Sequence, residues 1–330
     1  MGSNKMIGIE IGNDTIKLAV VKNGVIKKLA VQTMPENLVR EGIPTSNAAL
    51  SSFIKQMLKK NKIRGGDCAF VLPPQRVVAM QLTLPVMNEQ KLKLNLPFEF
   101  RDYIGSEASL YEYDYIVLGM NEQMMDLYVA ACKKEFVENY YAIFKKAGLT
   151  LKLAMPSEMA WLNLLTKQRK KLPAQIAIAD LGYHRTRVNI YANGNFTMGK
   201  DIDLAGQLLD ETIASMQTID SLLARSRKEN NTDHVLNADY MQDPYSSIAL
   251  EIMKTINFYN FSRPSDSQPL QDLYYCGGSA YIDDLRDVIS RATGLNLHHV
   301  SELVGLRDDD VRKNLALVCA QAAGAAIQTI

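Results

Sequence analysis

The chain is poor in cysteine, in net charge and in long apolar runs, and each shortage removes a class of function. Its four cysteines, Cys68, Cys132, Cys276 and Cys319, lie far apart and form no Cys-x-x-Cys pair, so they read as reduced, partly buried thiols of a cytosolic protein. The formal net charge is +1, which argues against nucleic acid as the main partner because phosphate backbones need a basic face. The clusters Lys59-Lys60-Asn61-Lys62 and Arg169-Lys170-Lys171 read as solvated helix ends or loops. The opening "MGSNKMIG" has no apolar segment of the signal-peptide kind, and Met1 to Lys5 are read as including appended residues. The most apolar stretch, "LALVCAQAAGAAIQTI", is too short and too marked by glutamine to span a bilayer. No Ser/His/Asp or Cys/His arrangement has a local signature, and His298-His299 has no cysteine or carboxylate at ligand spacing. The expectation is a cytoplasmic protein whose membrane contact is borrowed from a partner.

What is present is a chain of 330 residues, 47% hydrophobic and 22% charged. That is enough for two domains or one bilobal unit with a sizeable core, at roughly 100–200 residues per domain. The stretch Ile7 to Val31 alternates like paired strands, with Asn23-Gly24 as a type I′ turn. A helix capped by Ser46 or Asn47 follows, with Ala49, Leu50, Phe53, Ile54, Met57 and Leu58 at helical spacing. Strands are expected in "CAFVLP" and "RVVAMQLTLP", and helix on both sides of Pro97, which should break or kink it. A second strand pair, "YDYIVLG" and "MMDLYVAAC", precedes a helix ending at Gly148. Trp161 sits on a further helix at a spacing that suggests core packing. Residues from Leu204 to about Arg263 read as mostly helical, and "LYYCGGSAYIDDLRDVISRATG" as strand, Gly-Gly turn and helix. The spacing does not keep the strict βαβ period of a dinucleotide-binding domain.

One pattern occurs twice. "IGIEIGNDTIKLAVVKNGVI" aligns without a gap on "AIADLGYHRTRVNIYANGNF". Glu10-Ile11-Gly12 meets Asp180-Leu181-Gly182, and Asn23-Gly24 meets Asn193-Gly194, each pair 170 positions apart. Acid–apolar–Gly at a fixed distance before an Asn-Gly hairpin, repeated, indicates internal duplication. The chemistry suits a phosphate clamp. A carboxylate at a strand end holds Mg²⁺ through water, a glycine two residues on lets backbone approach a ligand, and the amides of Asn13-Asp14-Thr15 or Tyr183-His184-Arg185 can form an anion-binding nest. Gly277-Gly278, with Ser279 leading into a helix, brings bare backbone near a ligand; alone it would be a tight strand–helix turn. Lys17 alternates with Ile16 and Leu18, so it either reaches a phosphate or faces solvent. His184 is either a loop ligand or a surface turn histidine.

Together these motifs resemble the actin-like ATPase superfamily, in the order first phosphate loop, second phosphate loop, adenosine loop. More narrowly, from about Met6 onward the chain is similar to the PilM family of type IV pilus assembly, including "TLPVMNEQKLKLNLPFEF", "YEYDYIVLG" and the small-residue stretch "NLALVCAQAAGAAIQ". The related FtsA cell-division proteins place an inserted subdomain in the same lobe. The resemblance implies an α/β actin-like bilobal fold of duplicated ribonuclease-H-like lobes, with ATP and Mg²⁺ between them. It implies Gly12, Asn13, Asp14, Thr15 and Lys17 in the first phosphate loop, and Asp180, Gly182, Tyr183, His184, Arg185 and Thr186 in the second. Gly277, Gly278 and Ser279 would pack on adenosine, and Gly206 would approach the nucleotide. It also implies a groove beside the insert for the N-terminal cytoplasmic tail of the membrane protein PilN, recruitment to the inner face of the cell membrane, and a pilus motor ATPase as a further partner.

The expected division is 1–34 and 149–173 as first lobe, 35–148 as an inserted α+β subdomain, 174–310 as second lobe with a helical part at about 205–265, and 311–330 as a closing helix returning to the first lobe. Departures from the family bear on hydrolysis. Glu10 stands for a common aspartate, Tyr183 and His184 for small residues, Ala205 for a glycine and Asp210 for a threonine. At most a slow ATPase is expected, with Asp180 positioning water and Glu10 holding Mg²⁺ through its waters. A nucleotide-gated scaffold is the leading reading. A sugar or acetate kinase lacks its substrate constellation here, and an FtsA-like filament former would need a basic amphipathic tail that "GAAIQTI" does not supply.

Overall fold

A computed structural model describes residues 5–264, 267–307 and 309–327. Met1–Asn4 and the last three residues of "GAAIQTI" (328–330), on which expectations were stated, lie outside these. The chain divides into two compact units, Met1–Asn163 with Gln321–Ile330, and Leu164–Ala320.

In the first unit, β1 (Lys5–Ile11), β2 (Thr15–Lys22) and β3 (Val25–Thr33) form an antiparallel meander. Lys5 is part of β1, opposite Lys22. Asn23 and Gly24 have φ of 51° and 71°, as a type I′ turn requires. A short ladder, β4 (Val39–Arg40) with β5 (Ile43–Pro44), leads to α1 (Asn47–Lys60), where Ser46 Oγ accepts the Ala49 amide and so satisfies one of the open N-terminal donors. β6 (Gly66–Val71) then enters the sheet parallel to β1. Next come β7 (Val77–Pro85), α2 (Glu89–Glu99), α3 (Arg101–Ile104), β8 (Tyr111–Met120) and β9 (Met124–Lys133). α4 (Lys134–Ala147) ends on left-handed Gly148, and β10 (Leu149–Met155) completes a sheet ordered β10-β6-β1-β2-β3.

The expected insert from 35 to 148 is narrower in the structure. β6 lies inside the five-stranded sheet, and α1 and α4 share one core with it through Leu50, Ile54, Tyr140 and Phe144. What stands apart is the sheet β7-β9-β8 with α2 and α3, which has its own core of Leu92, Leu96, Phe100, Leu127 and Val129. Sheet membership is a long-range property that the alternation of "CAFVLP" does not carry. Pro97 lies within α2, and the break falls three residues later at buried Phe100. So near the helix end, the missing donor disturbs only the last turn.

The second unit repeats the first. α5 (Ser157–Gln168), whose first half with buried Trp161 belongs to the first unit, leads into β11 (Gln175–Leu181), β12 (Thr186–Ala192) and β13 (Asn195–Ile202). Helices α6 (Gly206–Gln217), α7 (Ser221–Asn230) and α8 (Gln242–Phe261) follow, then β14 (Asp272–Cys276), α9 (Asp283–Thr293), β15 (Asn296–His299), α10 (Ser301–Val304) and α11 (Lys313–Ala326). The strand order, β15-β14-β11-β12-β13, is that of the first sheet. Even the bulges correspond, at Val20/Val21 and at Ile190/Tyr191, again 170 positions apart. A shared bulge fixes the same local twist in both meanders. Duplication is therefore a property of the backbone as well as of the motif.

Candidate functional site

Each unit presents one hairpin at the place the duplicated motif marks. In the first, the Gly12 amide donates to Thr15 O at 2.9 Å; in the second, the Gly182 amide donates to Arg185 O at 3.1 Å. Glu10 stands opposite Lys17 across β1–β2, and Asp180 opposite Arg187 across β11–β12. Thus each copy sets an acid against a base on directly paired residues.

In the first hairpin the Lys17 ammonium is ion-paired with Glu10, both side chains largely buried. Lys17 is thus held beside Glu10 rather than turned to solvent; its alternation placed it correctly, but its carboxylate partner was not read from the strand. Asn13 Oδ1 accepts the Glu41 amide at 3.1 Å, and Asp14 O accepts the Met34 amide at 2.8 Å. The loop is thereby tied to the chain that follows β3.

The second hairpin draws three separated motifs together. The amides of Gly206 and Gln207, at the start of α6, donate to the carbonyls of Gly182 and Tyr183 at 3.0 and 2.8 Å. The Ser279 amide donates to Leu181 O at 2.9 Å. Gly277, at φ 98°, lies so close that a Cβ there would meet Asp180 Oδ1 and Leu181 O at 2.5 Å each, so only glycine fits. Ser279 leads into the helix through a run of turns at 278–281, and α9 begins at Asp283. Thr186 is fully buried, its hydroxyl donating to Leu204 O at 2.8 Å, which turns that side chain away from the loop surface. His184 Nδ1 and Gln207 Oε1 lie 2.9 Å apart, and Arg185 is ion-paired with Asp201 and Asp203.

Sequence reasoning missed the groups that surround Tyr183. Lys228, on α7, is buried and ion-paired with buried Asp210 at 2.6 Å, and donates to Gly206 O at 2.9 Å. Burial pushes its ammonium below the usual lysine range, while Asp210 pulls in the opposite direction. The Lys228 ammonium and the Arg225 guanidinium lie 5.2 and 4.7 Å from the Tyr183 ring centroid, within cation–π range. The only local hint was Ala224 and Lys228 at i, i+4 spacing on the buried face of α7.

A second feature belongs to the first unit. A cavity of about 380 Å³ lies where the small sheet meets β10. Val77, Tyr113, Tyr115 and Met155 line its walls, with the carboxylates of Glu112 and Asp114 beside them. β8 and β10 are the end strands of their sheets. Among the described residues no helix is long and apolar enough to cross a membrane.

Comparison with known proteins follows this geometry. Residues 8–322 match the family described as type IV pilus assembly protein PilM. Among solved structures, the PilM-PilN type IV pilus biogenesis complex is similar at TM-score 0.83 and 22% identity, covering 98% of this chain and 97% of that one. The ethanolamine utilization protein EutJ from Carboxydothermus hydrogenoformans is similar at 0.62 and 14%, covering 99% and 90%. MreB 5 of Spiroplasma citri bound to AMPPNP is similar at 0.54 and 11%, covering 97% and 95%. The shared architecture is the actin-like fold, and the extent of the family match decides the narrower assignment: the chain belongs to the family of the type IV pilus assembly protein PilM.

Proposed function

We propose that this chain is a nucleotide-binding scaffold of type IV pilus assembly that takes ATP on its duplicated hairpins and the N-terminal tail of a PilN-like membrane protein in the cavity of its first unit. The repeated hairpin carries the reading: glycine amide, acid–base pair and bulge recur in register, which a chance turn would not reproduce. Bare backbone at Gly12, Gly182 and Gly277 suits phosphate oxygens, and the donor set of Glu10 and Asp180 suits Mg²⁺ held through its waters. Mg²⁺, when bound, would supply charge neutralisation to the polyphosphate. Lys17 would add a cation beside Glu10, and Arg225 and Lys228 would hold the Tyr183 ring in place. We assign Asp180 to orienting water in a slow hydrolysis, since positioning and charge stabilisation dominate such chemistry.

The cavity supports the second half of the proposal. Two end strands flanking an apolar pocket with carboxylates nearby suit an extended peptide that carries apolar side chains and a positive charge. Recruitment to the membrane face would follow from that peptide, as would any contact with a motor ATPase.

Calorimetric titration with ATP and Mg²⁺ tests the nucleotide reading. Saturable binding weakened about tenfold, or about 1.4 kcal/mol, by Glu10→Ala or Asp180→Ala supports it. Silence in protein freed of co-purified nucleotide, or unchanged affinity in both variants, sinks it. A synthetic PilN tail peptide, titrated against wild type and Ala130→Trp, tests the cavity; the bulky variant should abolish binding.

A further inference from the structure

The turn between β4 and β5 touches both features of the first unit. Its two central residues, Glu41 and Gly42, have φ of 49° and 77°. A glutamate in the left-handed region is strained and persists only where its surroundings hold it. Here they do so on three sides. The Glu41 amide is held by Asn13 Oδ1 of the first phosphate loop at 3.1 Å. The Glu41 carbonyl accepts from Arg76 Nε at 2.8 Å, and Arg76 Nη2 lies 3.7 Å from the Glu41 carboxylate. The Gly42 carbonyl accepts the hydroxyl of buried Tyr140 at 2.8 Å.

Arg76 directly precedes β7, and Val77, its neighbour, lines the cavity. Leu72, on the other side of the same short segment, lines it too, and its amide donates to Met155 O at 2.8 Å in the opposite wall. Gly42 lies against Pro73, where a Cβ would come within 2.6 Å of the proline ring. The path from phosphate loop to cavity is therefore short: Asn13, the Glu41-Gly42 turn, then Pro73 and Arg76, then Leu72 and Val77. It runs through a left-handed turn that its partners hold in place, so that withdrawing one of them favours a relaxed turn.

Resting on the nucleotide and peptide reading above, we propose that the Glu41-Gly42 turn is a strut that couples nucleotide at the first phosphate loop to the shape of the peptide cavity, with Arg76 as the positioning residue. Phosphate accepting from Asn13 Nδ2 draws that side chain round and takes its Oδ1 away from the Glu41 amide. The turn then relaxes, and Arg76 and Val77 move with it. By reciprocity, a peptide that shifts Val77 alters nucleotide affinity by the same factor.

Hydrogen–deuterium exchange on the full chain, with and without saturating ATP and Mg²⁺, tests the strut. In wild type, ATP should change exchange at the amides of Val77 to Gln81 by about fivefold, the low end of allosteric coupling. Arg76→Gln removes the bond to Glu41 O. Gly42→Ala attacks the turn from its other side, through the Pro73 contact. Both variants should bind ATP with near-wild-type affinity by calorimetry and lose the exchange response in β7. A wild-type cavity that does not respond while ATP binds overturns the strut alone. So does a response that survives in both variants. Failure of wild type to bind ATP overturns the strut and the nucleotide reading together.

Discussion

The two hairpins share a register and differ in what supports them. The first is tied by side chains, Lys17 on Glu10 and Asn13 on a strained turn, beside one backbone bond from the Met34 amide to Asp14 O. The second has three such backbone bonds, from the α6 amides to the Gly182 and Tyr183 carbonyls and from the Ser279 amide to Leu181, beside the side-chain contacts of His184 and Arg185. Its base also meets a carboxylate on β13, since Arg187 is ion-paired with Asp201, directly opposite it. A hydrogen-bonded helix end offers few alternative geometries, whereas a side-chain tether can be exchanged for a ligand. The comparison assigns the second loop to rigid presentation and the first to response.

The largest test removes support from the second loop. Asp210→Ala leaves the buried Lys228 ammonium without its carboxylate, and losing one partner of a buried pair costs about 3–5 kcal/mol. Chemical denaturation would measure it. The pH dependence has a definite sign. Lys228 titrates below its unfolded value in the native state, so between those two values the unfolded chain holds more protons and stability rises with pH. Without Asp210 the native value falls further. The deficit of the variant should therefore shrink as pH is raised toward the ordinary lysine range, and a deficit independent of pH would contradict the assignment.

Next is a matched pair of glycines. A Cβ at Gly182 would meet Arg185 O at 2.6 Å, but one at Gly12 would meet Thr15 O at 3.5 Å, an ordinary contact. Gly182→Ala should lower stability by about 1–3 kcal/mol through backbone displacement, while Gly12→Ala should leave the melting temperature nearly unchanged. Equal losses would remove the asymmetry. The smallest effect is a control on the symmetry itself. Asn23 and Asn193 occupy the same left-handed position, at φ 51° and 53°, so Asn23→Ala and Asn193→Ala should each cost about 1 kcal/mol. A large difference between them would mean that the turns are not equivalent.

Much of this organisation was legible because it is local. The acid–apolar–Gly motif, the Asn-Gly turn and the fixed spacing lie within about twenty residues of each other, and pattern reasoning works at that range. The Gly206, Gly277 and Ser279 positions came from resemblance, and the structure gathers them around the second loop. What escaped was set by tertiary packing. Lys228 and Asp210 face each other across α6 and α7, and neither residue type signals burial. β6 reads like any apolar strand, so its place in the main sheet, and with it the true extent of the insert, needed the pairing. The cavity is assembled from separate segments around residues 72–77, 112–132 and 153–163; no stretch of sequence contains it.

One packing contact has a temporal meaning. At Gly8, in the middle of β1, a Cβ would meet the Ala322 carbonyl oxygen at 1.7 Å. Backbone lies there directly on backbone, between residues more than three hundred positions apart. During synthesis the strand that leads into the first hairpin emerges more than three hundred residues before the helix that covers it. Domains that can close early generally do so on the ribosome. The second unit, Leu164–Ala320, is one continuous stretch of chain. The first unit has to wait, holding its central strand uncovered until translation has passed Ala322.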